Sequence, residues 1–280
     1  MADYQNPHRR VNNPLKSKAF SRYLGVSLVA IIVLLLFIAF IWLAGARQRG
    51  IPDEIDFIQL KTPSDNAPVV VFETNIGTMK AVLYPKETPE YFNYFKNLVE
   101  SGYYDCTYIC AVVDKAYALG GTVSPDPEYD SSGSFGAAVT DAEGNDETDK
   151  IKQPDLTQLK AEISDNLWPI RGALCSFIGS SFGKNYAGSS VIFVNDVTVV
   201  NAAYMDEGAL KRSYGEELGT VFAEHGGIPN FSMEYTIFAQ IYDGWDVFDA
   251  ICEAEVLATS QPASDIVFEH VYLSTYGEES

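Results

Sequence analysis

An uncharged apolar run at residues 23–46 is the feature that most constrains this chain. Its central part is almost wholly Leu, Ile, Val, Ala and Phe, and a helix over the run spans roughly 36 Å at about 1.5 Å per residue. That length crosses the hydrocarbon core of a bilayer with some tilt. The run therefore predicts one transmembrane helix at 23–46 that precedes the folded part of the chain.

The charges on either side of this run predict its orientation. Arg47 and Arg49 follow it and soon give way to acidic residues. Five cations precede it: Arg9, Arg10, Lys16, Lys18 and Arg22. By the positive-inside rule, residues 1–22 lie in the cytoplasm and the rest of the chain lies outside. The expected location is the cell membrane, with a single span and an extracytoplasmic C-terminal domain.

A cleaved signal peptide is the alternative reading of the same segment. Ala44, Gly45 and Ala46 have the small-x-small form of a cleavage site. The apolar run is longer than the usual apolar region of a signal peptide, which spans about 7 to 15 residues. We therefore expect an uncleaved signal anchor.

Composition excludes several classes of function. The chain has 38 acidic residues against 19 Lys and Arg, a formal net charge of −19, which argues against nucleic acid as a partner. Four widely spaced cysteines cannot form a small disulfide scaffold. An acidic insertion at 124–155 lacks the residue order of a calcium-binding loop, so we predict no metal. No cofactor is predicted either.

The rest of the chain is typical of one β-rich domain at 67–280, joined to the membrane by a proline-containing linker at 47–66. Alternating runs on either side of Asn75 predict a β-hairpin. Thr88 and Pro89 predict the start of a helix that Gly102 ends, with Thr88 as its cap. Further strand-like runs follow, and residues 202–225 predict a helical insertion.

Four ordered blocks then carry a family resemblance. They are TPEYFNYFKNLVESGYYD at 88–105, RGAL at 171–174, GSS at 188–190 and YTIFAQIYDGWDVFDAI at 235–251. Together they resemble the cyclophilin-type peptidyl-prolyl cis-trans isomerases over roughly residues 67–275. The resemblance implies a mainly β fold, a closed eight-stranded antiparallel barrel with capping helices.

The catalytic position departs from that family. Its members place an Arg after Phe-His on one strand, and the guanidinium is held to stabilise the twisted prolyl amide near its nitrogen. The matching block here is YICAVVDKAYALGG at 108–121, which puts Ala111 at the Arg position and Cys110 at the His position. The methyl side chain of alanine donates no hydrogen bond. The chain therefore resembles the isomerases, but we expect it to lack the group that their catalysis uses.

Other positions of the substrate groove have changed as well. Most polar groups that would hold a peptide backbone are replaced by apolar ones, and Val191 is matched to a family Gln through the Phe-Val ending of its block. By resemblance, the groove positions are Cys110, Ala111, Ala116, Tyr117, Leu119, Phe177, Ile178, Val191, Phe193, Asn230, Phe231 and Tyr235. We expect these side chains, Phe177 above all, to fill the groove; an apolar patch around Phe193 is the alternative.

Two cations and one thiol are candidates for a replacement chemistry. Lys115 follows the catalytic strand, and Arg171 opens a block in which the family Arg is structural; a lysine lacks the planar fork of a guanidinium. Cys110 as a nucleophile needs a basic partner, and His225 and His270 belong to other elements. An inert buried thiol is the expectation for Cys110.

Disulfides remain open at this stage. Cys106 and Cys110 lie four apart on a predicted strand, roughly 13 Å, which is too far for a bond. Export permits Cys110 to pair with Cys175 or with Cys252.

Three functions follow from these observations. One is a membrane-anchored prolyl isomerase that acts in the folding of exported proteins, with activity weak or lost. The alternative is a catalytically silent pseudoenzyme, a peptide- or protein-binding module of the cell envelope. The third is a structural part of an envelope complex, with the acidic insertion as its contact surface. The expected partners in the first two are proline-containing or apolar segments of exported proteins.

Overall fold

The computed structural model describes residues 51–52, 54–122, 125, 159–181, 184–197 and 206–280. The predicted segments 1–22 and 23–46, and all of the acidic insertion except residue 125, lie outside them. Within the described ranges, no helix is both long and apolar enough to cross a bilayer. All of these residues except Ile51 belong to the compact unit Pro52–Ser280.

The strands of this unit form one antiparallel sheet. In chain order they are β1 Pro68–Thr74, β2 Gly77–Leu83, β3 Thr107–Val113, β4 Tyr117–Thr122, β5 Leu159–Lys160, β6 Ala173–Ser181, β7 Lys184–Val194, β8 Ile237–Asp243 and β9 Val267–Thr275. Their spatial order is β4-β3-β9-β1-β2-β8-β6-β7, and β4 also pairs with β7, which closes the ring. The short β5 pairs with β7 outside this ring. The predicted closed eight-stranded antiparallel barrel is confirmed.

Helices lie between the strands. The described helices are α1 Pro89–Glu100, α2 Glu207–Tyr214, α3 Glu216–His225, α4 Trp245–Cys252 and α5 Tyr276–Glu279, with 3-10 turns at Ile58–Leu60 and Pro229–Phe231. The sequence predicts a single helical excursion at 202–225, whereas the structure has two helices that meet at Gly215, whose φ is +84°. Residues 202–205 lie outside the description.

The barrel interior and the helices α1 and α4 share one hydrophobic cluster, called here the interior cluster. The rings of Phe72, Phe193 and Phe268 meet in it, with centroids 5.3 to 6.0 Å apart. Helix α1 adds Phe95 and helix α4 adds Phe248, both fully buried. Burial of these apolar faces is the main favourable term that holds the helices on the barrel.

The start of helix α1 is capped differently from the prediction. The hydroxyl of Thr88 makes no cap; it donates to the carbonyl of Tyr84 at 3.3 Å. The carboxylate of Glu162 accepts instead from the amides of Glu90 at 3.2 Å and Tyr91 at 2.7 Å. A carboxylate at this place also opposes the positive end of the helix dipole.

Cys106 lies outside the strand on which its distance to Cys110 was reckoned. Cys106 lies in the preceding turn, with a φ of +60°, and β3 starts at Thr107. The separation between Cys106 and Cys110 therefore does not follow strand geometry, although neither forms a disulfide.

The segment predicted as a linker packs on the barrel. Its 3-10 turn presents Gln59, which is nearly buried, to the outer side of β8. The Gln59 amide nitrogen donates to the carbonyl of Trp168 and to Oε1 of Gln240, both at 2.9 Å, and Gln59 Oε1 accepts from the Trp168 amide at 2.6 Å. We call residues 56–61 the strap.

Replacement of Glu162 tests the cap of helix α1. We expect Glu162→Ala to lower the free energy of unfolding by about 1 kcal/mol, because two helix amides lose their acceptor. Thr88→Val should cost less, since the hydroxyl makes one long bond. Urea denaturation of the two variants measures both, and a larger cost for Thr88→Val would contradict the assignment.

Candidate functional site

Strand pairing places one row of four residues across the outer face of the barrel. Ala111 on β3 pairs with Leu119 on β4, which pairs with Ile192 on β7, which pairs with Cys175 on β6. Because side chains alternate along a regular strand, one neighbour of each row residue points the other way. Those neighbours are Val112, Ala118, Phe193 and Leu174, and all four belong to the interior cluster. Cys110, beside Ala111 at an irregularity of β3, stays on the outer side.

The outer row belongs to a second hydrophobic cluster, the outer cluster. Its buried members are Cys110, Ala111, Ala116, Leu119, Leu167, Ala173, Cys175, Ile192, Val194, Ile228 and Ile237. Ala111 and Leu119 are only 7% and 6% exposed. Among the described residues, no charged side chain is buried, so this face holds neither a cation nor a carboxylate in its core.

Two of the predicted groove residues lie on the wrong side of the sheet. Val191 and Phe193 are in the interior cluster, while Ile192 and Val194 belong to the outer one. The match of Val191 to the family Gln is therefore displaced by one residue, and a shift of one residue moves a side chain to the opposite face. The sequence could not reveal this because all four residues are apolar.

Aromatic side chains border the outer cluster. The rings of Tyr117 and Phe231 meet at 5.6 Å between centroids, and those of Phe231 and Tyr235 at 4.5 Å. Burial raises the pKa of Tyr117, with a further contribution from Asp114. Burial also raises the pKa of Tyr235. Both hydroxyls therefore stay neutral at physiological pH and can donate a hydrogen bond.

The remaining predicted positions are less central. Asn230 is exposed, and its Oδ1 accepts from the Tyr214 hydroxyl at 3.3 Å. Phe177 and Ile178 lie on β6, but their side chains are outside the description. The predicted filling of the groove by Phe177 therefore remains a prediction.

Lys115 does not lie over the outer row. It occupies a left-handed turn with Asp114, and its carbonyl accepts from Asn195 Nδ2 at 2.9 Å. With Glu253 and Glu255 it lines a separate cleft of about 570 Å³. This position gives no support to Lys115 as a substitute for the missing Arg.

Arg171 is held by structural contacts. Its guanidinium pairs with Asp249, and its Nε donates to Asn195 Oδ1 at 3.0 Å. The same group lies 5.1 Å from the centre of the Trp245 ring. Arg171 thus ties β6 to helix α4 and, through Asn195, to the turn after β3, rather than facing the outer cluster.

The buried cysteines are too far apart to bond. Cys175 is separated from β3, which carries Cys110, by two intervening strands, and three strand spacings amount to roughly 14 Å. Cys252 belongs to the interior cluster, on the other side of the sheet from Cys110. None of the three forms a disulfide.

Burial lowers the reactivity of two of these thiols, those of Cys175 and Cys252. Burial raises the pKa of Cys175 well above its ordinary value. Burial, with the nearby Asp249, raises the pKa of Cys252 to about 12. A thiol that remains protonated is a poor nucleophile.

Several residues at this site were missed by sequence reasoning. Leu167, Ile228 and the strap residue Ile58 pack into or against the outer cluster, although they are distant in sequence from β3. Alternation of polar and apolar residues along β7 could have indicated that Ile192 and Val194 face outward. Residues 191–194 are all apolar, so the sequence shows no such alternation.

Comparison with known proteins gives a consistent result. Residues 69–273 match the family model described as cyclophilin type peptidyl-prolyl cis-trans isomerase/CLD. A Staphylococcus haemolyticus protein named "Putative peptidyl-prolyl cis-trans isomerase" is 25% identical over 211 residues, which cover 75% of this chain and 93% of that protein. A Staphylococcus epidermidis protein of the same name is 25% identical over 216 residues, 75% of this chain and 94% of its own length.

A solved structure resembles the fold. The crystal structure of a Cryptosporidium parvum cyclophilin type peptidyl-prolyl cis-trans isomerase aligns with a TM-score of 0.50 at 17% identity. The alignment covers 75% of this chain and 98% of that one. At this identity the similarity concerns the fold alone.

A matched pair of arginine variants tests the structural role of Arg171. We expect Arg171→Met to lower the free energy of unfolding by about 1 to 2 kcal/mol, a value reduced by the partial exposure of the ion pair. Arg212→Met, on the exposed side of helix α2, should change it little. Equal effects of the two variants in urea denaturation would contradict this role.

Proposed function

The chain belongs to the cyclophilin-type peptidyl-prolyl cis-trans isomerase family, and we propose that it is a membrane-anchored, extracytoplasmic protein that acts on exported proteins with little or no isomerase activity. One observation carries the catalytic part of the proposal. Ala111, at the position that resemblance assigns to the catalytic Arg, lies in a row of apolar side chains that are almost completely buried.

The chemistry explains why this matters. Rotation about a peptide bond has a barrier of about 18 to 20 kcal/mol. Catalysis requires a donor placed where the prolyl nitrogen lone pair localises as resonance is lost. Ala111, Leu119 and Ile192 provide no such donor. A missing charged or polar contact of this kind forfeits about 2 to 4 kcal/mol of transition-state stabilisation.

The same surface supports binding better than catalysis. The rings of Tyr117, Phe231 and Tyr235 border the outer cluster and offer flat apolar surfaces, and the two tyrosines also carry hydroxyl donors. Such surfaces suit an apolar or proline-containing segment. A catalytically silent peptide-binding module of the cell envelope is therefore the second candidate, favoured by this aromatic border.

The proposed location depends on the sequence alone. The apolar run at 23–46 and the five preceding cations support a single span with the domain outside the cytoplasm. Proline-containing or apolar segments of proteins that emerge on that side are the proposed clients.

An isomerase assay tests the catalytic part of the proposal. On a Xaa-Pro peptide, we expect turnover at least about 30-fold slower than that of an ordinary cyclophilin measured alongside, since about 2 kcal/mol corresponds to that factor. Turnover equal to that reference enzyme would refute the proposal.

An arginine at position 111 should not restore activity. We expect Ala111→Arg to lower the free energy of unfolding by about 2 kcal/mol or more, because the guanidinium would enter an apolar cluster without a buried partner. Ala258→Arg, in an exposed loop, is the matched control and should be nearly neutral. Recovery of fast turnover in a stable Ala111→Arg protein would contradict the reading of this face.

Topology is tested in whole cells. A reporter fused after Ser280 should be active outside the cytoplasm, and the purified protein should retain the residues before Ala46. A reporter active only in the cytoplasm, or a mature N-terminus directly after Ala46, would overturn the anchored arrangement.

A further inference from the structure

The strap contacts the same outer cluster that the proposed function uses. Ile58 packs against this cluster, and the next residue, Gln59, bonds to Trp168 and Gln240 beside it. Leu60, one residue further, points away and is 42% exposed. Within the 3-10 turn of the strap, Ile58 and Gln59 therefore face the barrel and Leu60 faces solvent.

Its attachment is limited in extent. Residues 56–61 contain a single 3-10 turn, Ile58–Leu60, and take part in no strand pairing of the barrel. Besides the Gln59 bonds, one backbone contact joins the strap to the barrel side, from the Asp56 amide to Asn166 Oδ1 at 3.2 Å. The ion pair of Lys61 with Asp56 lies within the strap itself. Short segments with few buried contacts belong to the parts of a protein that open locally.

Gln59 is the side chain on which this attachment depends. Its amide satisfies the Trp168 backbone on both the donor and the acceptor side, so the strap closes only in one register. Gln240 in turn donates to the Arg171 carbonyl at 2.8 Å, which connects the strap to the start of β6. A single amide thus couples the strap to two strands beneath it.

We propose that the strap is an autoinhibitory gate on the outer cluster, closed in this structure and opened to admit an apolar client segment. The inference rests on the proposed function, because it assumes that the outer cluster binds such segments. The strap lies between the apolar run at 23–46 and β1 in the sequence.

Hydrogen exchange on the full-length protein tests whether Gln59 holds the strap. We expect Gln59→Ala to raise amide exchange of residues 57–61 at least tenfold and to speed tryptic cleavage after Lys61. Leu60→Ala, on the same turn but exposed, should leave both unchanged. Exchange in β1 and β2 reports whether the barrel stays folded; if Gln59→Ala loosens it, Ile58→Ala replaces that variant. Unchanged exchange in the strap would overturn the gate.

Peptide binding tests whether the strap controls access. With a fluorescein-labelled peptide of Leu, Phe and Pro residues, we expect Gln59→Ala to bind at least fivefold tighter than the native protein and than Leu60→Ala. Equal affinities would refute the gate and leave the proposed binding function intact. Absence of binding by all three proteins would refute the binding function and, with it, the gate.

Discussion

Pairing of β4 with β7 is the constraint on which the rest of the structure depends. It closes the sheet into a ring, so that every strand between them has one face inside and one outside. The inside collects Phe72, Phe193 and Phe268, which pack ring against ring. The outer sides of β3, β4, β7 and β6 consequently form one continuous surface. The side chains that point outward from these strands determine whether this surface is polar or apolar.

Local patterns predicted much of this fold. The turn at Asn75, the proline at the start of α1 and the helical spacing after it each determine structure within a few residues. The cap of α1 was mispredicted because Glu162 reaches it from a distant part of the chain, whereas Thr88 is adjacent and has the right residue type. The linker was misread for the same reason: Gln59 is polar, and only the folded Trp168 backbone explains its burial.

The site was predicted only in part, and the limit is also physical. Ala111 and Leu119 were placed by matching the block at 108–121 to the family, and they lie on the outer face together. Val191 and Phe193 could not be placed because polarity does not alternate in that segment of β7. Where both faces of a strand are buried, the sequence is apolar throughout, and the register must come from strand pairing.

The two positions that the resemblance assigns to arginines of the family differ in what they hold in this chain. Arg171, matched to a structural position, is present and joins β6 to α4 through Asp249 and to the β3–β4 turn through Asn195. Ala111 lies at the position that the resemblance assigns to the catalytic Arg, and its neighbours across the sheet are apolar as well. A guanidinium there would need a carboxylate beside it, and no charged side chain is buried among the described residues of the outer cluster. Because all four residues of the row are apolar, they pack against one another without unpaired polar groups. We therefore expect a single polar or charged substitution in the row to lower the stability of the fold rather than to restore a catalytic group.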